Sequence, residues 1–249
     1  MITAIMIGRK GSRGFPGKNT YKILGRPLCE YPLIAAKKSK FIDKIYVATD
    51  CDKIKKISSK YNVEFINRPK KLNTNKALGD HVFEYSYEQV KKKNIKKIEL
   101  VVLLFANAPT INFKLIDQGI TLLKKNKYFD SAVSTSVYNM WSPLRARKLA
   151  SDGSLKPFVN FEYFGNPKTL NCDRDSQGNV YFADMSLSIV RPKCLENLKD
   201  GLLPQKWMGK KIMPIKSWGG CDVDYKWQIP GVEHWLITNG VKRKWKIYI

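Results

Sequence analysis

The chain has little acid, almost no histidine and no long apolar run. Its 249 residues hold 21 Asp and Glu against 45 Lys and Arg, and two His. His81 and His234 stand far apart in helix-like stretches, so both read as packing or surface residues. Histidine-dependent nucleophilic catalysis has almost no material here. Five cysteines, Cys29, Cys51, Cys172, Cys194 and Cys221, are odd in number, scattered and form no C-x-x-C pair. That argues against a disulfide framework and against a structural zinc site. No apolar run approaches the ~18–20 residues that cross a bilayer. The opening MITAIMIGRK has no basic segment before its short apolar run and no small-residue cleavage site after it, so the expectation is a cytoplasmic protein. Internal repeats and low-complexity tracts are missing as well.

What is present begins with charge. The formal net charge is +24, which raises the possibility of a polyanionic or phosphorylated ligand. Many of the lysines fall in runs such as AAKKSK, DKIKKISSK, VKKKNIKK and LLKKNK, on the polar side of helical patterns, where they also read as solvated faces. The 43% hydrophobic and 12% aromatic content supports a sizeable core and argues against disorder. The length fits one large domain, or one domain with a sub-domain.

Apolar runs alternate with amphipathic ones. Strands are expected at 2–8, 44–50, 63–67, 98–105 and 130–137. Helices are expected over 26–39, the segment DKIKKISSKYN, 78–93 and 113–126, with Pro32 delaying or bending the start of the first. Such alternation implies an α/β fold with a mostly parallel sheet covered on both faces. The rhythm breaks near residue 139, and 140–178 reads as an excursion: a lid, an acceptor-binding flap or a dimerisation arm. Strand character returns at 179–190, followed by a short helix over 192–199 and a strand in KIMPIKS. The tail VKRKWKIYI alternates basic with apolar residues and reads as an edge strand.

Two motifs carry chemistry. The first is IMIGRKGSRGFPGKN, residues 5–19. A strand that ends in a glycine-rich turn puts backbone N–H groups at the carboxyl edge of the sheet, where open α/β folds bind ligands. Glycines at 11, 14 and 17 let the backbone approach a ligand closely. Arg9 can grip phosphate as a planar fork and Lys18 as a point charge. The loop is neither a Walker A sequence nor a dinucleotide fingerprint. The second motif is GGCDVDYKW, residues 219–227. In extended backbone Asp222 and Asp224 point to one side, and two carboxylates aimed together call for a cation between them. Mg²⁺ suits them, since it prefers oxygen ligands and shares them with substrate phosphates.

With these residues in view, R-K-G-S-R-G-F-P-G-K-N followed by PL-x-x-Y resembles the signature of the acylneuraminate cytidylyltransferase family. YVATD, NRPKKL, LLFANAPT and DVDYKWQ agree with further family segments in order, and the resemblance spans roughly 2–236. It implies a Rossmann-like fold of the nucleotide-diphospho-sugar transferase type in a single nucleotidyltransferase domain over 1–249, commonly dimeric. It also implies a reaction in which CTP is coupled to an acidic 2-keto sugar and pyrophosphate is released. By resemblance, Arg9 and Lys18 hold the CTP phosphates. Gly8, Gly11, Ser12 and Asn19 belong to the same nucleotide-binding loop, and Arg68 lies near the cytidine. Asp222 and Asp224 hold Mg²⁺. In FANAP, Phe105 stands where the family usually has glutamine, a residue expected near the acceptor. Asn107 stands where a related branch has a metal-binding aspartate. Phe105 and Asn107 are therefore expected on the acceptor side, and Arg145 and Arg174, with Arg147 and Lys156 nearby, as candidates to grip an acceptor carboxylate. The expected partners are CTP, a small anionic acceptor and a second copy of the chain, with neither a membrane nor nucleic acid. Two alternatives stay open: a nucleotidyltransferase acting on a phosphate- or phosphonate-bearing acceptor, and a basic nucleic-acid-binding protein.

Overall fold

The computed structural model describes residues 1–74 and 76–243, with the side chain of Arg174 left out. Among the described residues eleven strands and six α-helices follow in chain order: β1 (Ile2–Gly8), β2 (Lys22–Ile23), β3 (Arg26–Pro27), α1 (Glu30–Lys38), β4 (Lys44–Thr49), α2 (Asp52–Ser58), β5 (Glu64–Ile66), α3 (Gly79–Lys93), β6 (Leu100–Phe105) and α4 (Phe113–Lys125). Then come β7 (Ser131–Val137), β8 (Arg147–Leu149), β9 (Leu155–Pro157), β10 (Tyr181–Val190), α5 (Lys193–Glu196), β11 (Ile212–Lys216) and α6 (Ile229–Thr238). Seven strands form the central sheet in the order β11-β7-β10-β6-β1-β4-β5. All neighbours are parallel except at β10, which runs antiparallel to both β6 and β7.

Alternation along β1 builds the two faces. Ile2, Ala4 and Met6 pack with Leu33 of α1, Ile54 of α2 and Ile116 and Ile120 of α4. Ile5 and Ile7 point the other way, toward Phe83 and Tyr87 of α3, Leu195 of α5 and Trp207. Both faces being covered is why β1 and β6 read as unbroken apolar runs and not as alternating ones. Pro32 does not break α1, because it sits in the first turn, where a backbone N–H would have no helical partner. Residues 26–27 pair as β3 instead of extending that helix.

The course of the chain across the sheet locates the cleft. From β1 it moves to β4 and β5 on one side and then returns to β6 on the other. The loops leaving β1 and β6 therefore diverge, and they open a crevice beyond the carboxyl ends of those strands. A third, smaller core of Phe15, Leu28, Val223, Val232, Trp235 and Leu236 fixes the two loops that wall this crevice. Residues 139–177 leave the sheet as the β8–β9 hairpin and a series of short 3₁₀ turns. Phe158, Tyr163 and Phe164 of this excursion are exposed. Of the tail VKRKWKIYI, residues 244–249 lie outside the described residues, and 241–243 hold no strand.

Candidate active site

Gly8 ends β1 and the loop 9–19 folds over the crevice. Gly17 takes φ +74, a left-handed conformation that glycine adopts without a side-chain clash. It caps the 3₁₀ turn Lys18–Thr20 and turns Lys18 back toward the sheet. The loop is tied down at two points. The backbone N–H of Lys10 donates to Asp50 Oδ1 at 2.8 Å, and Asn19 Nδ2 donates to the Arg9 carbonyl at 3.1 Å. Gly14 has a different job from the one its position suggests. A Cβ there would lie 2.8 Å from the Asp224 carbonyl oxygen and 3.0 Å from the Tyr225 ring. The close approach it permits is therefore to the other loop of the site.

That other loop carries Asp222 and Asp224. Lys18 Nζ makes an ion pair with Asp224 Oδ1. Asn107, two residues beyond β6, donates from Nδ2 to Asp222 Oδ2 at 3.2 Å and to the Val223 carbonyl at 3.0 Å. The Val223 N–H donates back to the Asn107 carbonyl at 2.8 Å. Burial pushes the Asp222 carboxyl above its ordinary range, and the neighbouring Asp224 charge adds to this; Lys18 and Asn107 pull the other way. A carboxylate held in that condition favours a cation beside it.

Gln228 braces the same loop. Its Oε1 accepts the N–H groups of Asp224 at 2.7 Å and Tyr225 at 2.8 Å, and its Nε2 donates to the Asp222 carbonyl at 3.2 Å. Underneath, Thr110 Oγ1 accepts the Cys221 N–H at 2.9 Å, and Ser136 Oγ accepts the Gly220 N–H at 3.0 Å. Tyr138 Oη donates to the Gly220 carbonyl at 3.1 Å. Asp184, 5% exposed, accepts from the hydroxyls of Ser134 and Ser136. It reaches them because β10 slips register between Ala183 and Ser188.

A cleft of about 230 Å³ runs between the loops. Gly8, Arg9, Gly11, Ser12, Lys18 and Asn19 line one wall, and Arg68, Ala77, Gly79, Val82 and Phe105 line the other. Asn107 and Asp224 also border it. Burial lowers the Arg68 guanidinium from its usual range, and Arg9 acts in the same sense while Asp50 opposes it. Arg68 also donates to the Leu72 carbonyl. Phe105 meets Phe83 edge-on at 5.2 Å, and Trp207 lies 5.9 Å away across the same cluster. So Gly8, Arg9, Gly11, Ser12, Lys18, Asn19, Arg68, Phe105, Asn107 and Asp224 share one cleft, and Asp222 adjoins it through Asn107.

Arg145 is elsewhere. Its guanidinium donates to the Cys172 carbonyl at 2.7 Å within the excursion. Arg174 opens a 3₁₀ turn of the same excursion, and its side chain lies outside the described residues. His81 faces Glu84 at 3.4 Å and His234 is exposed beside Trp218, both away from the cleft lining. The sequence reading had no assignment for Gln228, Thr110, Ser136 or Tyr138. Their residue types carry no signature, and only the folded chain brings them under the acidic loop.

A family model described as cytidylyltransferase matches residues 3–191. The chain belongs to the cytidylyltransferase family. It is 25% identical over 185 residues to the N-acylneuraminate cytidylyltransferase of Escherichia coli O18:K1:H7, covering 74% of this chain and 42% of that one. It is 29% identical over 254 residues to the 3-deoxy-manno-octulosonate cytidylyltransferase of Thermodesulfovibrio yellowstonii, covering 98% and 89%. The chain spans 28% of a Helicobacter pylori protein that joins a pseudaminic acid cytidylyltransferase to a hydrolase. Among solved structures, CMP:2-keto-3-deoxy-manno-octonic acid synthetase in complex with CTP superposes with a TM-score of 0.67 at 12% identity, over 96% of this chain and 99% of that one. The fold is thus the α/β nucleotidyltransferase fold.

Proposed function

We propose that this protein transfers the cytidylyl group of CTP to an acidic 2-keto sugar, with Mg²⁺, and releases pyrophosphate. The observation that carries the reading is the meeting of a basic glycine-rich loop with Asp224 in one cleft, joined by the Lys18–Asp224 contact, with Asp222 adjoining through Asn107. The activities of the relatives, on N-acylneuraminate, octulosonate and pseudaminic acid, support the same substrate class.

In this reading Arg9 and Lys18 bind the triphosphate, with Ser12, Asn19 and the amides of the loop completing its cradle. Arg68 flanks the nucleoside end. An acceptor hydroxyl attacks the α-phosphorus, the bond to the bridging oxygen breaks, and the electron pair leaves on pyrophosphate. Arg9 and Lys18 stabilise the charge gathering on that leaving group. Holding the two reactants in line supplies much of the rate, and no protein nucleophile is needed.

The donor set suits Mg²⁺. Two carboxylates from an extended turn, with substrate phosphates and water, match the ligand mixture that this ion prefers. The raised Asp222 carboxyl fits a site completed by a cation. Asp222 and Asp224 would hold the ion, which when bound neutralises phosphate charge and acidifies an attacking hydroxyl. Asn107 orients Asp222. Phe105 gives the acceptor side an apolar wall. The excursion over 140–178 acts as a flap or dimerisation arm, through which Arg145 and Arg174 contribute to an acceptor site in a homodimer.

The test is pyrophosphate release from each of the four ribonucleoside triphosphates with Mg²⁺. The acceptors are 2-keto sugar acids and, separately, phosphate- or phosphonate-bearing alcohols. CTP-dependent release with a keto sugar acid, abolished in Asp222→Asn, is the expected result. Release with phosphorylated acceptors alone would overturn the acceptor assignment.

A further inference from the structure

The charge that dominates the composition is not spent in the cleft. Helices that cover a parallel sheet run against the strands, so their carboxyl ends gather at the edge opposite the cleft. Lys37 and Lys38 end α1, and Lys124 and Lys125 end α4. The turn from α3 to β6 reads KKKNIKK, residues 91–97, and every one of its lysines is exposed. Lys210 and Lys211, also exposed, enter β11 at the same edge. Helix-dipole compensation accounts for the last-turn lysines. It does not account for Lys96, Lys97, Lys127, Lys210 and Lys211, which lie beyond the helices. Three carboxylates of this edge are engaged: Glu196 faces Lys91 at 2.8 Å, Glu64 faces Lys44 at 3.3 Å, and Asp130 pairs with Lys193, while Glu99 and Asp200 stand exposed and outnumbered by the lysines around them. The excess is therefore positive across the whole edge. Seven strands at a spacing of about 4.8 Å make that edge about 30 Å wide.

We propose that this edge is a docking surface for an anionic lipid bilayer, with the cleft facing away into water. Four observations select the partner, and none of them depends on the reading of the cleft. The cations are lysines, point charges on flexible stems that suit diffuse attraction to headgroups. The arginine of the edge, Arg191, is turned inward onto the carbonyls of Leu123, Asn126 and Phe129, so it offers no fork to nucleic-acid phosphates. The helices of eight or more residues that reach the edge present their carboxyl ends, and only the four-residue α5 begins there, so the edge offers few of the backbone N–H donors that long helix amino ends offer to a phosphodiester. Within the lysine field two large apolar side chains stand out into solvent, Ile95 and Tyr128. Both can enter the headgroup layer while the ammonium groups remain at its surface. Among the described residues no helix is long and apolar enough to cross a membrane, and a surface-docked protein needs none. The sequence-based expectation was of no membrane partner, although the net charge of +24 also admitted an anionic membrane.

The experiment is sedimentation of the full chain with vesicles of phosphatidylcholine alone and with about 30% phosphatidylglycerol, at low and high salt. Binding to the anionic vesicles is expected, with the bound fraction falling at least about tenfold between 0.1 and 0.5 M NaCl. Neutral vesicles should bind none. Lys92, Lys96, Lys97, Lys124 and Lys125→Gln together should abolish the binding, and Ile95→Asp alone should weaken it several-fold. Both variants should keep the wild-type circular dichroism and CTP affinity. No binding to anionic vesicles, or binding that these variants leave intact, would overturn the proposal. So would tighter binding to a mixed-sequence DNA duplex than to the anionic vesicles.

Discussion

Lys18 and Asp224 hold the most informative contact in the molecule, because each has a second partner in the proposed reaction. Without ligand they neutralise one another. With CTP and Mg²⁺ the ammonium serves phosphate and the carboxylate serves the metal. Lys18→Ala should weaken CTP binding about 10- to 100-fold, the scale of one charge-assisted hydrogen bond, with the far-ultraviolet circular dichroism unchanged. Calorimetric titration reads this directly. Gln228 acts through other groups. Gln228→Ala strands two N–H groups, so the Mg²⁺ concentration for half activation should rise about five- to tenfold. CTP affinity without metal should hold, which separates positioning from phosphate binding. Arginine, lysine, aspartate and glycine were legible in the sequence because their chemistry is narrow. Gln228 and Thr110 were not, since an amide or a hydroxyl in a loop has too many uses to name one. The thiols supply a check on packing. Burial pushes Cys29 and Cys221 up to about 12 and Cys194 to about 11, with neighbouring carboxylates adding to each. Iodoacetamide at pH 8 should therefore label exposed Cys172 first and leave these three silent until the protein unfolds. Mass mapping of the labelled peptides decides it.

Two loops and one small core make the site at the scale of elements. Gly14 lies where the loop after β1 touches the acidic loop, 2.8 Å from backbone. Gly14→Ala has no flexible side chain to displace there, so it should push the loops apart. The expected outcome is a raised KM for CTP with little change in melting temperature. Trp235 of α6 is 1% exposed and donates to the Trp218 carbonyl at 2.8 Å. Trp235→Ala should cost about 3–5 kcal/mol, read as a lowered urea midpoint. Strands and helices with a clean period, such as β1, β6, α3 and α4, were legible from the apolar pattern alone. The antiparallel course of β10 was not, because direction within a sheet leaves no mark on an apolar run. Neither was the slip that sends Asp184 inward beneath Ser134 and Ser136. The first helix begins later than its pattern suggested, since pairing of Ile23 with Arg26 takes up the segment before it.

The whole molecule separates its charges. The cleft edge pairs Lys18 with Asp224, whereas on the opposite edge lysines outnumber the carboxylates that pair with them. The alternation of the sequence foretold a sheet covered on both faces, with the glycine-rich loop leaving β1 at its carboxyl edge. It did not foretell that β6 would return beside β1 and so form the crevice, because strand order depends on contacts far apart in the chain. The central claim is that this crevice holds CTP. The most direct test is titration of CTP, UTP, ATP and GTP into the protein with Mg²⁺, repeated with Arg9→Ala and Lys18→Ala. The account predicts that CTP binds at least about tenfold more tightly than the other three, and that both variants lose that binding. Equal affinity for all four nucleotides, or CTP binding indifferent to Arg9 and Lys18, would contradict it.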